Sequence, residues 1–379
     1  MIRIAIDAMG GDHAPREVVL GAVIAAKEYG IAIQLVGPPD VISAELKRNS
    51  VKEVLGGRSP ESMNISIVAA TEVVEMGEKP SRAVLKKKDS SILVATKQVA
   101  KGEADGVVAA GSTGAAAVAA QIALGKLQGA DKAAICVGMP TVNNEPCLLL
   151  DGGASVDCSP EELFHFGVMG SVLFKGLYNT PQPRVGLLNI GTEETKGNDL
   201  VRDAYKIFSE SNKLNFIGFV EGRDYPLGKV DVVVTDGFTG NVSLKTAEGI
   251  ARMMSQILRQ ELMSSIRGKV AGIMAEPYLK ALKARVDHNE LGGALLLGVK
   301  GVYVIAHGGS KHTAIKNAIR VAKDMVMANV IKKMEQALKA ETTPNGNGSS
   351  HSNHDDHDAN NDSSNDPDGK KKVSAAESR

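Results

Sequence analysis

The sequence predicts an α/β fold, a three-layer and mostly parallel sandwich, and three observations carry this prediction. Short runs of valine, isoleucine and leucine alternate with longer helical patterns from residue 1 to about 338. The runs are apolar without alternation, which is typical of strands buried on both faces. Several runs end in glycines and small polar residues, as turns at the carboxyl ends of parallel strands do. Crossover helices on both faces of one sheet follow from this pattern.

Ten apolar runs are predicted to be strands, and the helical patterns lie between them. The strands lie near 2–6, 31–36, 64–69, 106–110, 134–138, 146–150, 185–190, 214–219, 230–235 and 302–306. The helices include 16–29, 113–125, 160–176, 198–211, 240–265 and 311–338. The order of the strands in the sheet does not follow from the pattern.

Composition narrows the classes of protein to consider. The 379 residues carry 44 basic and 44 acidic side chains, so net charge gives no general attraction to nucleic acid. Trp is absent and aromatic residues make up 3%, which argues against a platform for stacking bases. No run approaches the about 18 apolar residues of a membrane-spanning helix, and the N-terminus lacks a signal-peptide pattern. We expect a cytoplasmic protein, with contact to the inner face of the cell membrane left open.

The composition changes abruptly near residue 341. Residues 1–340 are predicted to form one folded domain, whereas 341–379 contain almost nothing apolar. A segment of this kind cannot bury enough surface to offset its ordering entropy, so we expect a disordered polar tail.

A helical hairpin is predicted at about 246–286, where apolar residues recur at helical spacing. We expect its tip at 267–274 and its second helix to begin near Pro277. An apolar stripe of this kind packs in a core or a subunit interface, or it enters a bilayer surface. For the membrane alternative, the tip residues would be Val270, Ile273 and Met274.

Glycine-bearing turns follow five of the predicted strands. The first, Ile4 to Pro15, contains Asp7, Gly10 and Gly11, where the backbone can approach a ligand closely because glycine has no Cβ. The turn Gly111-Ser112-Thr113-Gly114 opens a helix, whose unpaired amides suit a phosphate. The alternative is a tight turn with Ser112 as the helix N-cap.

Three further turns carry polar side chains. Asn189 and the segment 191–198, with Lys196 and Gly197, are suited to an anionic substrate or form an ordinary surface loop. Asp236, followed by Gly237, Gly240 and Asn241, is a candidate general acid, metal ligand or helix cap. His307 precedes Gly308 and Gly309, and is either a proton donor or a hydrogen-bonded loop histidine. Several such turns suggest one shared site for a small anion.

A basic helix face follows Glu78 in the sequence. It consists of Arg82, Lys86, Lys87 and Lys88. Faces of this kind are usually solvated, but an acidic partner protein is the functional alternative.

With these motifs assembled, the chain resembles the bacterial phosphate acyltransferase family of phospholipid synthesis, PlsX, over residues 1–338. The motifs that carry the resemblance are Ile4 to Pro15, Glu75-Met76-Gly77-Glu78-Lys79-Pro80, Lys86-Lys87-Lys88-Asp89-Ser90-Ser91, Asp157-Cys158-Ser159-Pro160-Glu161, Asn189 to Asn198, Val220-Glu221-Gly222-Arg223-Asp224, Asp236 to Asn241 and Gly292 to Gly301. The resemblance implies transfer of a long acyl chain from acyl carrier protein to inorganic phosphate. The acyl phosphate would then serve a glycerol-3-phosphate acyltransferase in phosphatidic acid synthesis.

The resemblance also implies a homodimer, a fold like that of isocitrate and isopropylmalate dehydrogenases, and peripheral membrane association. We expect no metal, no cofactor and no nucleic acid partner. The expected catalytic residues are His307, Lys196 and Asn241. The expected phosphate- or substrate-binding residues are Asp7, Gly10, Gly11, Gly111, Ser112, Thr113, Gly114, Asn189, Gly197, Asp236, Gly237 and Gly240. The basic face at Arg82 and Lys86 to Lys88 is expected to receive the carrier protein.

Two other functions fit parts of the sequence. Ser112, Asp236 and His307 occur in the chain order of the α/β-hydrolase triad, although Ala110 replaces the first glycine of the nucleophile elbow. A non-catalytic module that binds acyl carrier protein or membrane would need no anion site at all.

Overall fold

A computed structural model describes residues 1–75, 77–143, 145–286 and 292–342. The tail predicted at 341–379 lies outside the described residues from position 343 onward.

The described residues form one eleven-stranded sheet. Its strands are β1 (Arg3–Asp7), β2 (Ala32–Gly37), β3 (Ile65–Ala69), β4 (Gly106–Ala110), β5 (Ala134–Met139), β6 (Cys147–Leu150), β7 (Arg184–Leu188), β8 (Asn215–Val220), β9 (Val232–Val234), β10 (Ala294–Leu297) and β11 (Val302–Ala306). Ten of them match the predicted runs. The strand that sequence reasoning missed is β10, whose four residues lie between Gly293 and Gly298 and therefore resemble part of a glycine-rich loop.

Strand direction divides the sheet into two blocks. The order is β3-β2-β1-β4-β11-β10-β5-β6-β9-β7-β8. The first block, β3 to β11 in that order, is parallel throughout, and so is the second block, β6 to β8. Between the blocks, β10 is antiparallel to β11 and β5, and β5 is antiparallel to β6. The sheet is mostly parallel, as predicted, but its two blocks run in opposite directions.

Helices cover both faces of the sheet. They are α1 (Arg16–Tyr29), α2 (Pro39–Leu46), α3 (Asn49–Leu55), α4 (Pro80–Lys86), α5 (Ser91–Ala100), α6 (Thr113–Ala123), α7 (Pro160–Tyr178), α8 (Asp199–Glu210), α9 (Gly237–Met263), α10 (Ile266–Val286), α11 (His312–Met327) and α12 (Val330–Thr342). The helix predicted at 311–338 is two helices, because Asn329 adopts φ +51° between them.

Successive residues of each strand serve two separate apolar cores. Ile4 and Ile6 belong to the core that also contains side chains of α1, α7 and α11, whereas Ala5 belongs to the core on the other face, with side chains of α5 and α6. Both cores are fully buried, which explains why the strand runs are apolar without alternation.

The helix pair α9–α10 differs from its prediction in one respect. The predicted tip at 267–274 is not a loop: α10 begins at Ile266, and Pro277 lies inside it. Gly268, which suggested a turn, instead allows close packing, because a Cβ there would come within 2.6 Å of the Leu262 carbonyl oxygen of α9. Val270, Ile273 and Met274 are exposed side chains on the first turns of α10.

Within the described ranges, no helix combines the length and the apolar character needed to span a bilayer.

Candidate active site

Three turns of the first block meet at the carboxyl ends of β1, β4 and β11. A Cβ atom on Gly10 would collide with the carbonyl oxygen of Ala110, at the end of β4. The amide of Asp12 donates to the carbonyl of Gly308 at 2.8 Å. Gly11 adopts φ +96°, and a Cβ there would approach the same Gly308 oxygen to 2.9 Å. The first turn therefore bridges the other two, and only glycine fits at its closest points.

A cavity of about 230 Å³ opens beside these turns, over β5 and β10. Its described lining residues are Thr113, Ile135, Val137, Gly138, Gly152, Gly153, Asn241, Leu244, Lys245, Glu248, Gly293, Ala294, Ile305, Ala306 and His307. The structure thus brings together three of the predicted site residues, Thr113, Asn241 and His307. Apolar side chains, among them Ile135, Val137 and Leu244, form part of the lining, and the polar residues Thr113, Asn241 and His307 form the part called here the polar edge.

His307 follows β11, and a backbone contact fixes the role of its ring nitrogens. The amide of Gly309 donates to Nδ1 of His307 at 3.1 Å. A backbone amide can only donate, so Nδ1 accepts with its lone pair and the proton of the neutral ring is on Nε2. His307 is therefore suited to donate a hydrogen bond from Nε2.

The first turn of α6 presents backbone amides beside the cavity. Ser112 is its N-cap, and its Oγ accepts from the amide of Ala115 at 3.3 Å. The amides of Thr113 and Gly114 precede the first intrahelical bond, so the helix itself supplies no acceptor for them. Together with the positive end of the helix dipole, these amides are suited to an anion.

The first turn of α9 does not offer its amides in the same way. The amide of Gly237 donates to the Ser155 carbonyl, and that of Gly240 donates to the Asp236 carbonyl. The Asp236 carboxylate accepts from the amide and the hydroxyl of Thr239, at 2.8 and 2.7 Å. Asp236 is thus a helix cap, and the expectation that Gly237 and Gly240 bind substrate is not supported. Asn241 is the residue of this turn that lines the cavity.

The same contacts argue against a serine hydrolase. In that triad a carboxylate accepts from Nδ1–H of the histidine, and the histidine accepts from the serine hydroxyl. Here Nδ1 of His307 is itself an acceptor, Asp236 caps α9 and Ser112 caps α6.

The turn after β7 lies apart from this cavity. Lys196 is exposed and, with Asn189 and Gly197, is not among the described lining residues. The Asn189 side chain instead holds the loop, because its Nδ2 donates to the Lys196 carbonyl at 3.2 Å. The physical reason is position in the sheet: β7 lies beyond β6 and β9, and it is the residues after those two strands, Gly152, Gly153 and Asn241, that line the cavity.

Two buried carboxylates hold backbone turns near the site. Asp7 accepts from the amide of Met9 at 3.2 Å, and burial raises the pKa of Asp7 to about 6. Asp151, at the end of β6, accepts from the amides of Ile135, Gly153, Ala154 and Ser155. Burial also raises the pKa of Asp151, although these hydrogen bonds oppose the rise. Asp7 was expected to bind substrate, but its carboxylate orders the turn at Gly10 and Gly11.

The predicted basic face lies on and just after α4. Arg82, Lys86 and Lys88 are exposed there. Lys87 is not part of that face, because its ammonium pairs with Glu78 and donates to the Val73 carbonyl.

Helix α4 also borders the turn that opens α6. A Cβ on Gly114 would come within 2.8 Å of Pro80, the first residue of α4. Gly111 packs against Gly11 in the same region, with its Cβ position 3.4 Å from the Gly11 amide. The first residue of α4, the helix that bears Arg82 and Lys86, therefore lies beside the turn that opens α6.

Sequence reasoning missed Lys245 and Glu248, which follow Asn241 along α9 and line the cavity with it. Their spacing from Asn241, four and seven residues, places all three on one helix face. Helical periodicity counted from Asn241 was the signal that could have found them.

Comparison with known proteins gives a consistent result. A family model described as "Fatty acid synthesis protein" matches residues 2–333. The phosphate acyltransferase of Pelotomaculum thermopropionicum is 47% identical over 341 residues, covering 89% of this chain and 96% of the relative. That of Heliobacterium modesticaldum is 46% identical over 343 residues, covering 90% and 99%.

The chain belongs to the phosphate acyltransferase family. It is an enzyme, an acyltransferase, as the resemblance in its motifs predicted.

Solved structures support the fold. A phosphotransacetylase from Streptococcus pyogenes superposes with a TM-score of 0.58 at 16% identity, covering 86% of this chain and 94% of that one. EutD phosphotransacetylase from Staphylococcus aureus gives 0.54 at 14% identity, with the same coverage. The predicted likeness to isocitrate and isopropylmalate dehydrogenases stays a prediction.

Proposed function

We propose that this acyltransferase moves a long acyl chain from acyl carrier protein to inorganic phosphate, and so supplies acyl phosphate for phosphatidic acid synthesis. The observation that carries the proposal is the mixed apolar and polar lining of the cavity. Its apolar side chains, with Ile135, Val137 and Leu244, are suited to the acyl end of a thioester. Its polar edge at Thr113 and His307 is suited to phosphate and to the carbonyl oxygen.

The reaction requires little proton transfer by side chains of the protein. A phosphate oxygen bonds to the thioester carbon, the C–S bond breaks, and the phosphate proton is transferred to the departing thiolate. Inorganic phosphate is a mixture of monoanion and dianion at neutral pH, since its second pKa is about 7, and the dianion attacks without prior deprotonation. A thiol of pKa about 8.5 is a good leaving group. Catalysis then consists of positioning the two substrates and stabilising the oxyanion.

We assign roles on this basis. The amides of Thr113 and Gly114 and the Asn241 side chain bind phosphate, and the Nε2–H of His307 donates to the oxyanion of the tetrahedral intermediate. Lys196, exposed on its own loop, attracts the phosphate dianion through solvent.

The carrier protein docks on the exposed basic residues Arg82, Lys86 and Lys88. Pro80 of α4 lies against Gly114, so a carrier bound to α4 is close to the polar edge of the cavity. Opposite charges across such an interface mainly raise the association rate, and salt screens them.

The exposed apolar side chains of α9 and α10 suggest a homodimer contact and a membrane contact. Ile250, Met254 and Ile257 on α9 are about half exposed or more. Such a surface is suited to a homodimer contact, with the start of α10, at Val270 and Ile273, suited to peripheral contact with the inner face of the cell membrane. The acyl phosphate would be passed to a glycerol-3-phosphate acyltransferase there.

The test is product formation from palmitoyl–acyl carrier protein with and without inorganic phosphate, with hydroxylamine added after the reaction to trap acyl phosphate. We expect phosphate-dependent release of free carrier and an equal amount of trapped hydroxamate. Free fatty acid released at the same rate without phosphate would indicate a hydrolase instead. Carrier binding without any thioester consumption would indicate a binding module.

A further inference from the structure

An ion pair on α9 faces the cavity beside Asn241. Lys245 Nζ lies 3.0 Å from Oε2 and 3.3 Å from Oε1 of Glu248. The Glu248 side chain is 14% exposed, whereas that of Lys245 is 57% exposed. The carboxylate is therefore held against the protein, while the ammonium reaches open space.

Lys245 is the only lysine or arginine among the described residues that line the cavity. The other polar groups there, on Thr113, Asn241 and His307, are hydrogen-bonding groups without a permanent charge. Glu248 adds a negative charge, which repels an anion unless a cation lies between the two. A phosphate dianion in this cavity therefore needs Lys245 more than it needs any other lining side chain.

Lys245 can contact an anion while it keeps its ion pair with Glu248. An exposed ion pair three residues apart on a helix contributes little free energy, so the ammonium can reorient easily. An ammonium has three N–H donors, enough to contact Glu248 and a phosphate oxygen at once. Arg252 Nη2, at 4.0 Å from Glu248 Oε2, keeps the carboxylate compensated when Lys245 moves.

We infer that Lys245 binds the inorganic phosphate directly and that Glu248 is a positioning residue, which holds the Lys245 ammonium at the edge of the cavity. Asn241, one helical turn earlier on the same face, completes the α9 side of the phosphate site. The identity of the anion rests on the proposed function, but the existence of the anion site does not.

The first experiment is calorimetric titration of the full chain with inorganic phosphate alone, in the absence of thioester. Lys245→Ala is expected to weaken phosphate binding about 10- to 100-fold, the loss of one charge-assisted hydrogen bond. Lys280→Ala is the matched control, because Lys280 pairs with Glu276 in the same way on the exposed surface of α10. Equal binding by wild type and Lys245→Ala would overturn the inference.

The second experiment compares the Michaelis constants for phosphate and for the acyl carrier. Lys245→Ala should raise the phosphate constant about 10- to 100-fold and leave the carrier constant within about twofold, and Lys245→Arg should restore much of the loss because it keeps the charge. Glu248→Gln should raise the phosphate constant about threefold with kcat unchanged, a split that a general loss of structure does not produce. A lower constant in Glu248→Gln, or a change in the carrier constant alone, would overturn the assignment.

The two experiments separate this inference from the proposed reaction. If wild type binds phosphate but makes no acyl phosphate, the reaction is wrong, and calorimetry with Lys245→Ala still decides the inference. If acyl phosphate forms and Lys245→Ala matches wild type in phosphate affinity and in the Michaelis constant for phosphate, the proposed reaction is supported and the inference about Lys245 is wrong.

Discussion

The turns of the two strand blocks are built differently. In the first block, the turns after β1, β4 and β11 are locked to one another through backbone atoms at Gly10, Ala110 and Gly308. In the second block, the turn after β7 is exposed, and the Asn189 side chain ties it mainly to itself. Both turn sets contain glycine and polar residues, so composition alone does not distinguish them.

The difference teaches that a strand's position in the sheet, and not the motif alone, decides which turns meet. Neighbouring parallel strands place their carboxyl ends side by side, as β1, β4 and β11 do. The antiparallel strands β10 and β5 reverse that direction before the second block begins. The second block reaches the cavity in two ways: Gly152 and Gly153 follow β6, and the inner face of α9 carries Asn241, Lys245 and Glu248.

The largest effect is expected from a substitution that disrupts the contacts between the turns after β1, β4 and β11. Gly10→Val places a side chain against the Ala110 carbonyl, and we expect the free energy of unfolding to fall by about 3 kcal/mol with acyl phosphate formation lost. Gly222→Val, in the turn after β8, meets no atom within 4 Å and is the matched control. Denaturant unfolding measures both, and similar losses in the two variants would contradict the contrast between the blocks.

The next effect concerns chemistry at the end of β11. His307→Ala removes the Nε2–H donor, and we expect kcat to fall about 100- to 1,000-fold, the usual cost of one oxyanion donor. Ser112→Ala should keep kcat within about threefold, and should cost about 1 kcal/mol of stability as a lost helix cap. Steady-state rates at saturating phosphate make the comparison. A loss of kcat in Ser112→Ala as large as that in His307→Ala would instead support Ser112 as a nucleophile.

The buried carboxylate of the first block predicts a pH effect on stability. Burial raises the pKa of Asp7 to about 6, against 3.8 for the ordinary group. Between these values the folded protein holds a proton that the unfolded chain has released, so stability falls as pH rises and levels off above about pH 6. Relative to Asp7→Asn, the wild type should lose roughly 2 kcal/mol of unfolding free energy from pH 4 to pH 6.

A carboxylate with the opposite pKa shift is the control for this measurement. The Arg3 guanidinium and amide hold the pKa of Asp105 below its ordinary value, against an opposing effect of burial. Wild type should therefore lose stability relative to Asp105→Asn as the pH falls below about 4. Chemical denaturation at several pH values tests both expectations: that wild type loses stability relative to Asp7→Asn as the pH rises and relative to Asp105→Asn as the pH falls. A flat difference between wild type and Asp7→Asn would contradict the buried charge at Asp7.

The smallest expected effect tests the exposed turn of the second block. Lys196 acts on phosphate through solvent, where a charge pair at close range contributes about 1 kcal/mol, so Lys196→Ala should raise the Michaelis constant for phosphate about fivefold. Added salt should shrink this difference because it screens exposed charges. A salt-independent loss as large as that of Lys245→Ala would mean that Lys196 contacts the phosphate directly.

Much of the fold could be predicted, because strands buried on both faces of a sheet are recognisable in the sequence as apolar runs. The strand β10 could not, since four residues between glycines carry too little pattern. The start of α10 was mistaken because Gly268, normally a turn signal, serves close packing on Leu262. Strand order, which decides which turns meet, depends on pairing between distant segments and has no local signal.

The site was predictable where a side chain closely follows a strand. Thr113, Asn241 and His307 were found in this way, and all three line the cavity. Lys245 was not found, because in sequence it is an ordinary helical lysine, and only the packing of α9 over β5 and β6 brings it to the cavity.

The most direct measurement is a crystal structure of the full chain soaked in inorganic phosphate. The account predicts one phosphate in the cavity, within hydrogen-bond distance of the Thr113 amide and the Asn241 and Lys245 side chains, with His307 alongside. A cavity without phosphate, and phosphate bound instead within the turn at 191–197, would contradict it.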